Sequence, residues 1–276
     1  MSNCEGCPSQ GSCNKNQDEC GVKINPNNHI KKVIAVMSGK GGVGKSSMTT
    51  LLAKAANAKG LAVGVLDADI TGPSIPRLFN LQHEKAYGDG QNQIYPVVDE
   101  DGIKTMSINY LIEEENTPVI WRGPIINSAI QQFWNDVLWE DLDVLFIDMP
   151  PGTGDIALTI MQTLPVSGVI MVSTPQPMVS MIVSKAINML NQMEIPVLGV
   201  IENMAYVECP DCGREIELYE KNVEEFIKEN HVPLLAELPF NNGISRLNHE
   251  DKISDLDIEA IKKWIYPIID QLFINQ

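Results

Sequence analysis

The chain has 276 residues, 44% of them hydrophobic and 20% charged, which is enough apolar material for one sizeable core. Its 20 Lys and Arg stand against 36 Asp and Glu, a formal net charge of −16 with no basic block or stripe, and this argues against nucleic acid as a partner. The N-terminus lacks a secretory pattern and no apolar run approaches the ~18 residues of a spanning helix, so a cytoplasmic protein without a membrane partner is expected.

Residues 1–28 carry Cys4, Cys7, Cys13 and Cys20 among Gly, Asn, Ser and Gln, with almost no apolar periodicity. Such a tail has no core of its own and only a metal would order it. The spacing C-x2-C-x5-C-x6-C brings four thiolates within reach of one centre, and either an iron–sulfur cluster or Zn²⁺ accepts four thiolates. In a reducing compartment, closely spaced cysteines read as soft-metal or redox groups before they read as disulfides. Residues 29–276 are expected to form the main domain.

Gly39-Lys40-Gly41-Gly42-Val43-Gly44-Lys45-Ser46 follows the apolar run Val33 to Met37 and opens a helix-like run, Ser47 to Lys59. It fits G-x-x-x-x-G-K-[ST] in the strand-turn-helix setting that pattern requires. Glycines let backbone N–H groups close around phosphate oxygens, and the helix N-terminus adds partial positive charge. Lys45, expected to face solvent, supplies a full charge, and Ser46 offers an oxygen to Mg²⁺.

Next, Ala62 to Leu66 reads as a parallel strand covered on both faces, ending in Asp67-Ala68-Asp69-Ile70-Thr71-Gly72-Pro73-Ser74. Carboxylates at such a strand end bind Mg²⁺ through water or position an attacking water, with Asp69 the chemical candidate. Ser74 reads as a helix N-cap. Residues 93–109 alternate loosely around Asp99 to Gly102 and predict a hairpin. Trp121-Arg122-Gly123-Pro124 leads into a helix-like run, Ile125 to Trp139, with Ile126, Ile130, Phe133, Trp134 and Val137 on roughly one face. Arg122 reads equally as a nucleotide or partner contact and as an exposed structural arginine.

Val144 to Ile147 ends in Asp148, followed by Met149-Pro150-Pro151-Gly152-Thr153-Gly154-Asp155. A carboxylate at that strand end holds Mg²⁺ through water in phosphoryl-transfer proteins, and Gly152 is placed to offer its N–H to a γ-phosphate. Strands and helices then alternate to a closing helix near 257–273, which implies an α/β fold with a parallel twisted sheet and helices on both faces. The phosphate site then lies at the sheet's carboxyl edge. Near 204–220, Cys209-Pro210-Asp211-Cys212 interrupts the alternation. Two thiols are half of a tetrahedral set, to be completed by the tail or by a second copy across a two-fold axis. A thioredoxin-type redox pair and a zinc knuckle are the rivals.

The segment K-G-G-V-G-K-S, with Lys40 at its second loop position, resembles the deviant Walker A motif of the MinD/ParA/nitrogenase-iron-protein class of P-loop ATPases. Together with D-A-D-I-T-G-P-S-I-P, W-R-G-P, D-M-P-P-G-T-G-D, T-P-Q-P, E-N-M and C-P-D-C, in that order over about Lys31 to Asp251, it resembles the Mrp/Nbp-type ATPases of iron–sulfur cluster assembly. The resemblance implies a homodimeric ATPase that converts ATP and water to ADP and phosphate with Mg²⁺, and that delivers [4Fe–4S] clusters to apo iron–sulfur proteins. It makes Gly41 to Ser47 the phosphate cradle, Lys40 a lysine reaching the partner's nucleotide, Asp69 the switch I aspartate and Asp148 the Walker B aspartate. Asn203 would recognise adenine, and Cys209 and Cys212 would ligate a cluster shared by two subunits. The tail resembles the N-terminal cluster motif of longer members, except that Cys20 lies downstream where theirs lies upstream. The family's Asp-Pro and arginine after Leu238-Pro239 are replaced by Phe240 to Arg246. An ATP-gated electron carrier like the nitrogenase iron protein and a cluster-free positioning ATPase are the alternatives.

Overall fold

Strand β1 (His29–Ser38) lies inside the sheet with a parallel neighbour on each side, and its pleat explains how the rest of the chain is distributed. Alternate side chains of a strand point to opposite faces. Val33, Ala35 and Met37 enter one hydrophobic cluster and Ile34 and Val36 another. Both faces of the sheet are therefore covered. The structure is a computed structural model that describes residues 25–90, 93–112, 121, 123–209, 211–219, 223–240 and 255–274. Cys4, Cys7, Cys13 and Cys20, with Arg122 and Arg246, lie outside the described residues.

In chain order the elements after β1 are α1 (Lys45–Ala58), β2 (Val63–Asp67), α2 (Ile75–Leu78), β3 (Tyr87–Gly88), β4 (Ile94–Tyr95), β5 (Val97–Val98) and β6 (Lys104–Met106). There follow α3 (Gly123–Asn135), β7 (Asp141–Asp148), α4 (Asp155–Thr163), β8 (Gly168–Ser173), α5 (Pro177–Gln192) and β9 (Val197–Glu202). The last are β10 (Tyr206–Glu208), β11 (Glu215–Glu217), α6 (Val223–Asn230), β12 (Leu234–Glu237) and α7 (Asp255–Ile269). Eight strands form the main sheet in the order β12-β9-β8-β1-β7-β2-β6-β5. Every pair in it is parallel except β5–β6.

One face carries Ile126, Ile130, Phe133 and Trp134 of α3, Ile160 of α4 and Val183, Ile187 and Leu190 of α5. The opposite face carries Leu51 and Leu52 of α1, Ile75 of α2 and Ile265 and Ile268 of α7. The expected α/β architecture is the observed one. The hairpin expected over residues 93–109 forms as β5–β6, but β6 also pairs in parallel with β2, so this segment extends the main sheet. Tyr95 meanwhile stacks on Tyr87 across a separate pair, β3–β4. In α7, Pro267 removes one N–H from the ladder, and a wider turn over Asp270–Ile274 replaces the α-helix soon after. No helix among the described residues is long and apolar enough to cross a membrane.

Ser74 sits at the N-cap of α2, yet its side chain makes no capping bond. The Ile75 N–H donates instead to Asp67 Oδ2 at 3.4 Å. A carboxylate from the preceding strand thus takes the first N–H of the helix, where Pro76 leaves the next position without one. Asn25 and Asn28 are already buried, and Asn28 bonds the Val137 carbonyl and the Glu140 N–H, so contacts with the main body begin before His29.

Candidate functional site

The turn between β1 and α1 requires its glycines for different reasons. Gly42 and Gly44 adopt φ of 81° and 84°, the left-handed region that glycine reaches without a Cβ penalty. At Gly44 a Cβ would also lie 2.4 Å from Asn203 Nδ2, and at Gly39 one would lie 2.9 Å from Ile182 Cγ2. The loop is therefore moulded against two neighbouring elements as well as bent.

Lys45, expected to face solvent, is buried. Its Nζ lies 2.7 Å from Asp148 Oδ1, with the two side chains 7% and 0% exposed. Asp148 also accepts from Ser46 Oγ at 2.6 Å and from Thr49 Oγ1 at 2.8 Å. Removing one partner of a buried pair strands the other charge, at a cost of about 3–5 kcal/mol. Lys45 thus has a structural role that its sequence position did not suggest. Ser46 Oγ and Asp148 Oδ2 lie side by side, two oxygens of the hard kind that Mg²⁺ takes as ligands.

Register puts Asp67 directly beside Asp148 on adjacent strands. Burial first, and the neighbouring Asp148 next, push the Asp67 carboxyl up to about 8 against the pull of Lys45. Two carboxyls share one ammonium here, and Asp148 has the closer claim on it. Asp67 is held by the Ser107 hydroxyl at 3.1 Å and the Asp69 N–H at 3.2 Å. Asp69 is half-buried, pushed up by burial and held down by Lys45, with Thr71 Oγ1 donating to it at 3.2 Å. The D-x-D pattern was visible in sequence, but nothing in it ranked the deeper carboxyl.

Asn203 is buried and donates its Nδ2–H to the Val43 carbonyl at 2.9 Å, so its amide braces the phosphate loop. The Gly152 N–H donates to the Ser38 carbonyl at 2.8 Å, so the structure gives it a backbone partner where a phosphate oxygen was expected. Ser47 is half-buried in the first turn of α1, while Gly41 and Gly42 are exposed. Lys40 Nζ donates to Gln176 Oε1, and Gln176 Nε2 lies 3.5 Å from the Tyr219 hydroxyl. Thr49, Gln176 and Tyr219 were missed in sequence. Only T-P-Q-P marked one of them, without a role.

Met204 takes φ of 57° just past β9 and turns the chain from the sheet into the β10–β11 pair. Positive φ at a non-glycine residue costs on the order of 1 kcal/mol and marks a tightly specified turn. Cys209 and Cys212 lie between the two strands, half-buried and exposed respectively, both as free thiols. Cys209 N–H donates to the Arg214 carbonyl and Gly213 N–H to the Cys209 carbonyl, each at 2.9 Å. Hydrogen bonds from the Asp211 and Cys212 N–H groups and from the Cys212 thiol hold the Cys209 sulfur below the usual thiol range. A thiol held lower gives up its proton more readily, and the thiolate so formed is a soft-metal ligand. Among the described residues no group of three or more His, Cys, Asp and Glu is placed to hold a metal ion.

A glycine turn whose lysine and serine close on the acidic end of an adjacent parallel strand is the nucleotide site of a P-loop NTPase. The chain belongs to the ParA family of NUBPL iron-transfer P-loop NTPases, whose model matches residues 29–272. It is 47% identical over 269 residues to an iron–sulfur cluster carrier protein of Clostridium perfringens, covering 92% of this chain and 94% of that one. A carrier protein of the same description from Methanocaldococcus jannaschii is 45% identical, with 86% and 84% covered. A solved nucleotide-binding protein in complex with ADP from Archaeoglobus fulgidus superposes with a TM-score of 0.73 at 41% identity, covering 82% of this chain and 89% of that one. A chain of the MinC:MinD cell division protein complex of Aquifex aeolicus, at 19% identity, TM-score 0.64 and coverage of 87% and 95%, shares the fold. The family expected from the motifs is the family found.

Proposed function

We propose that the chain is an ATP-hydrolysing carrier that holds a [4Fe–4S] cluster between two copies of itself and delivers it to apo iron–sulfur proteins. The observation that carries this reading is a two-thiol hairpin rooted at the same sheet edge as the phosphate loop, three residues beyond the loop's own brace, Asn203. The names of the similar carriers support it. The hairpin's two cysteines become four thiolates by pairing with those of a second copy across a two-fold axis, so cluster loading and dimerisation are linked.

In the hydrolytic step, Lys45 turns from Asp148 to the phosphates, because several phosphate charges outbid one carboxylate. Ser46 and Asp148 would hold Mg²⁺, with Asp69 beside them through water, and the ion when bound neutralises phosphate charge. Asp69 orients the water that attacks the γ-phosphorus as the bond to ADP breaks. Lys40 reaches the nucleotide of the other copy. In the tail, Cys4, Cys7 and Cys13, with Cys20 or an outside ligand, hold a second metal centre within one chain.

Anaerobic reconstitution followed by iron and sulfide assay, then incubation with an apo-acceptor, tests the proposal. The expected result is cluster transfer to the acceptor. A cluster that exchanges electrons but is never surrendered would establish an electron carrier instead, and ATPase activity without iron would establish a cluster-free ATPase.

A further inference from the structure

We propose that Gln176 is a positioning residue that couples Lys40 of the phosphate loop, through Tyr219, to the hairpin carrying Cys209 and Cys212. The proposal rests on the reading of that hairpin as the cluster-bearing element and adds how the two sites communicate.

Gln176 immediately precedes α5 at the carboxyl edge of the sheet, and the two ends of its amide face different elements. Oε1 accepts from Lys40 Nζ, while Nε2 donates toward Tyr219 Oη at 3.5 Å. The arrangement has a direction. Turning the amide over would set its NH₂ against an ammonium, donor against donor. A second contact keeps α5 against the loop, because Ile182 fills the space that a side chain at Gly39 would need.

Tyr219 lies just past β11, the strand that returns from the cysteines. The other strand is tied to α7, where Lys263 Nζ lies 3.6 Å from Glu208 and Trp264 hydrogen-bonds the Tyr206 side chain. The cysteines therefore sit between one anchor on α7 and one on Gln176. Of the two, the Gln176 anchor reaches the phosphate loop through a side-chain contact, to Lys40.

In the function proposed above, Lys40 is the residue on which nucleotide acts. A neutral amide oxygen competes poorly with phosphate for an ammonium, since phosphate adds the attraction of an opposite charge to the hydrogen bond. When Lys40 turns to phosphate, of its own site or of a second copy, Gln176 loses the donor that orients it. Its 3.5 Å contact with Tyr219, already at the long limit for a hydrogen bond, is the next to open. Binding linkage runs both ways, so displacing Tyr219 also alters the availability of Lys40 to phosphate.

The test is alkylation of Cys209 and Cys212 by iodoacetamide in the full chain, read by mass spectrometry, with and without a non-hydrolysable ATP analogue and Mg²⁺. In the wild type the nucleotide should change the rate by about fivefold or more, the lower range for coupled sites. Tyr219→Phe and Gln176→Leu should each bring that ratio to about one. Gln176→Leu cuts the contact with Lys40 and Tyr219→Phe keeps it, so a purely structural role for the Lys40 contact would leave the ratio intact in Tyr219→Phe. A wild-type ratio near unity, or a wild-type ratio in Tyr219→Phe, overturns the coupling. Iron content of anaerobically reconstituted wild type and of Cys209→Ser/Cys212→Ser is measured alongside. Equal iron in those two withdraws the cluster reading and leaves the alkylation result to stand by itself.

Discussion

The phosphate loop and the cysteine hairpin share one edge of the sheet and are built on opposite terms. In the loop, Asp148 takes donors from Lys45, Ser46 and Thr49, and Asn203 holds the Val43 carbonyl. In the hairpin, two three-residue strands carry the thiols, and all of β11 is exposed. A site that stabilises transferring phosphate gains from donors fixed beforehand. A site that must release a cargo gains from segments that open at low cost.

The largest effect is expected at Lys45. Lys45→Ala should abolish measurable hydrolysis and also lower the unfolding free energy by about 3–5 kcal/mol, because Asp148 is left buried without its ammonium. Adding Asp148→Asn should restore much of the stability and none of the activity. Urea denaturation of the single and double variants checks this. If Lys45→Ala unfolds at the wild-type midpoint, Lys45 contributes to phosphate binding alone and the contrast between the two regions weakens.

Much of this edge was legible in sequence because its signals are local. The glycine turn, the apolar strands ending in Asp67 and Asp148, and the C-x-x-C are each contained within about ten residues, the length of one element. What was not legible is pairing across the fold. The Ser46 to Asp148 bond spans 102 positions and the Asn203 to Val43 bond 160, and no periodicity encodes either. Lys45 read as solvent-facing because loops usually are, whereas β7 brings a carboxylate beneath it. Lys104 to Met106 is too short to announce membership of the main sheet. The tail cysteines fall outside the described residues, so their ligand reading rests on spacing alone.

Asp67 predicts an intermediate effect with a definite sign. In the unfolded chain its carboxyl loses a proton near 3.8, and in the fold it keeps it to about 8. Between those values the native state binds the extra proton, so stability falls as pH rises. The contribution is fully present below the lower value and lost on passing the upper one. The slope is at most about 1.4 kcal/mol per pH unit. Asp67→Asn should flatten stability against pH over that window, measured in EDTA so that bound metal does not enter. A variant as pH-dependent as the wild type would move the extra proton elsewhere on the edge, with Asp69 the next carboxyl to examine.

The smallest expected effect falls on the hairpin, and it is the sharpest test of the contrast. Cys212 is exposed and Cys209 half-buried, and neither belongs to the two clusters that fill the faces of the sheet. Serine is close in shape to cysteine and keeps a hydrogen-bonding head. Cys209→Ser/Cys212→Ser should therefore change the unfolding free energy by no more than about 0.5 kcal/mol, the usual range for surface positions. The same variant should lose the iron assigned to the hairpin and leave whatever the tail thiols hold. Stability near wild type with that iron gone is the signature of a site whose residues serve the cargo and not the fold. A loss of several kcal/mol without added metal would instead make the thiol pair a structural clasp. The hairpin would then resemble the phosphate loop more than it differs from it.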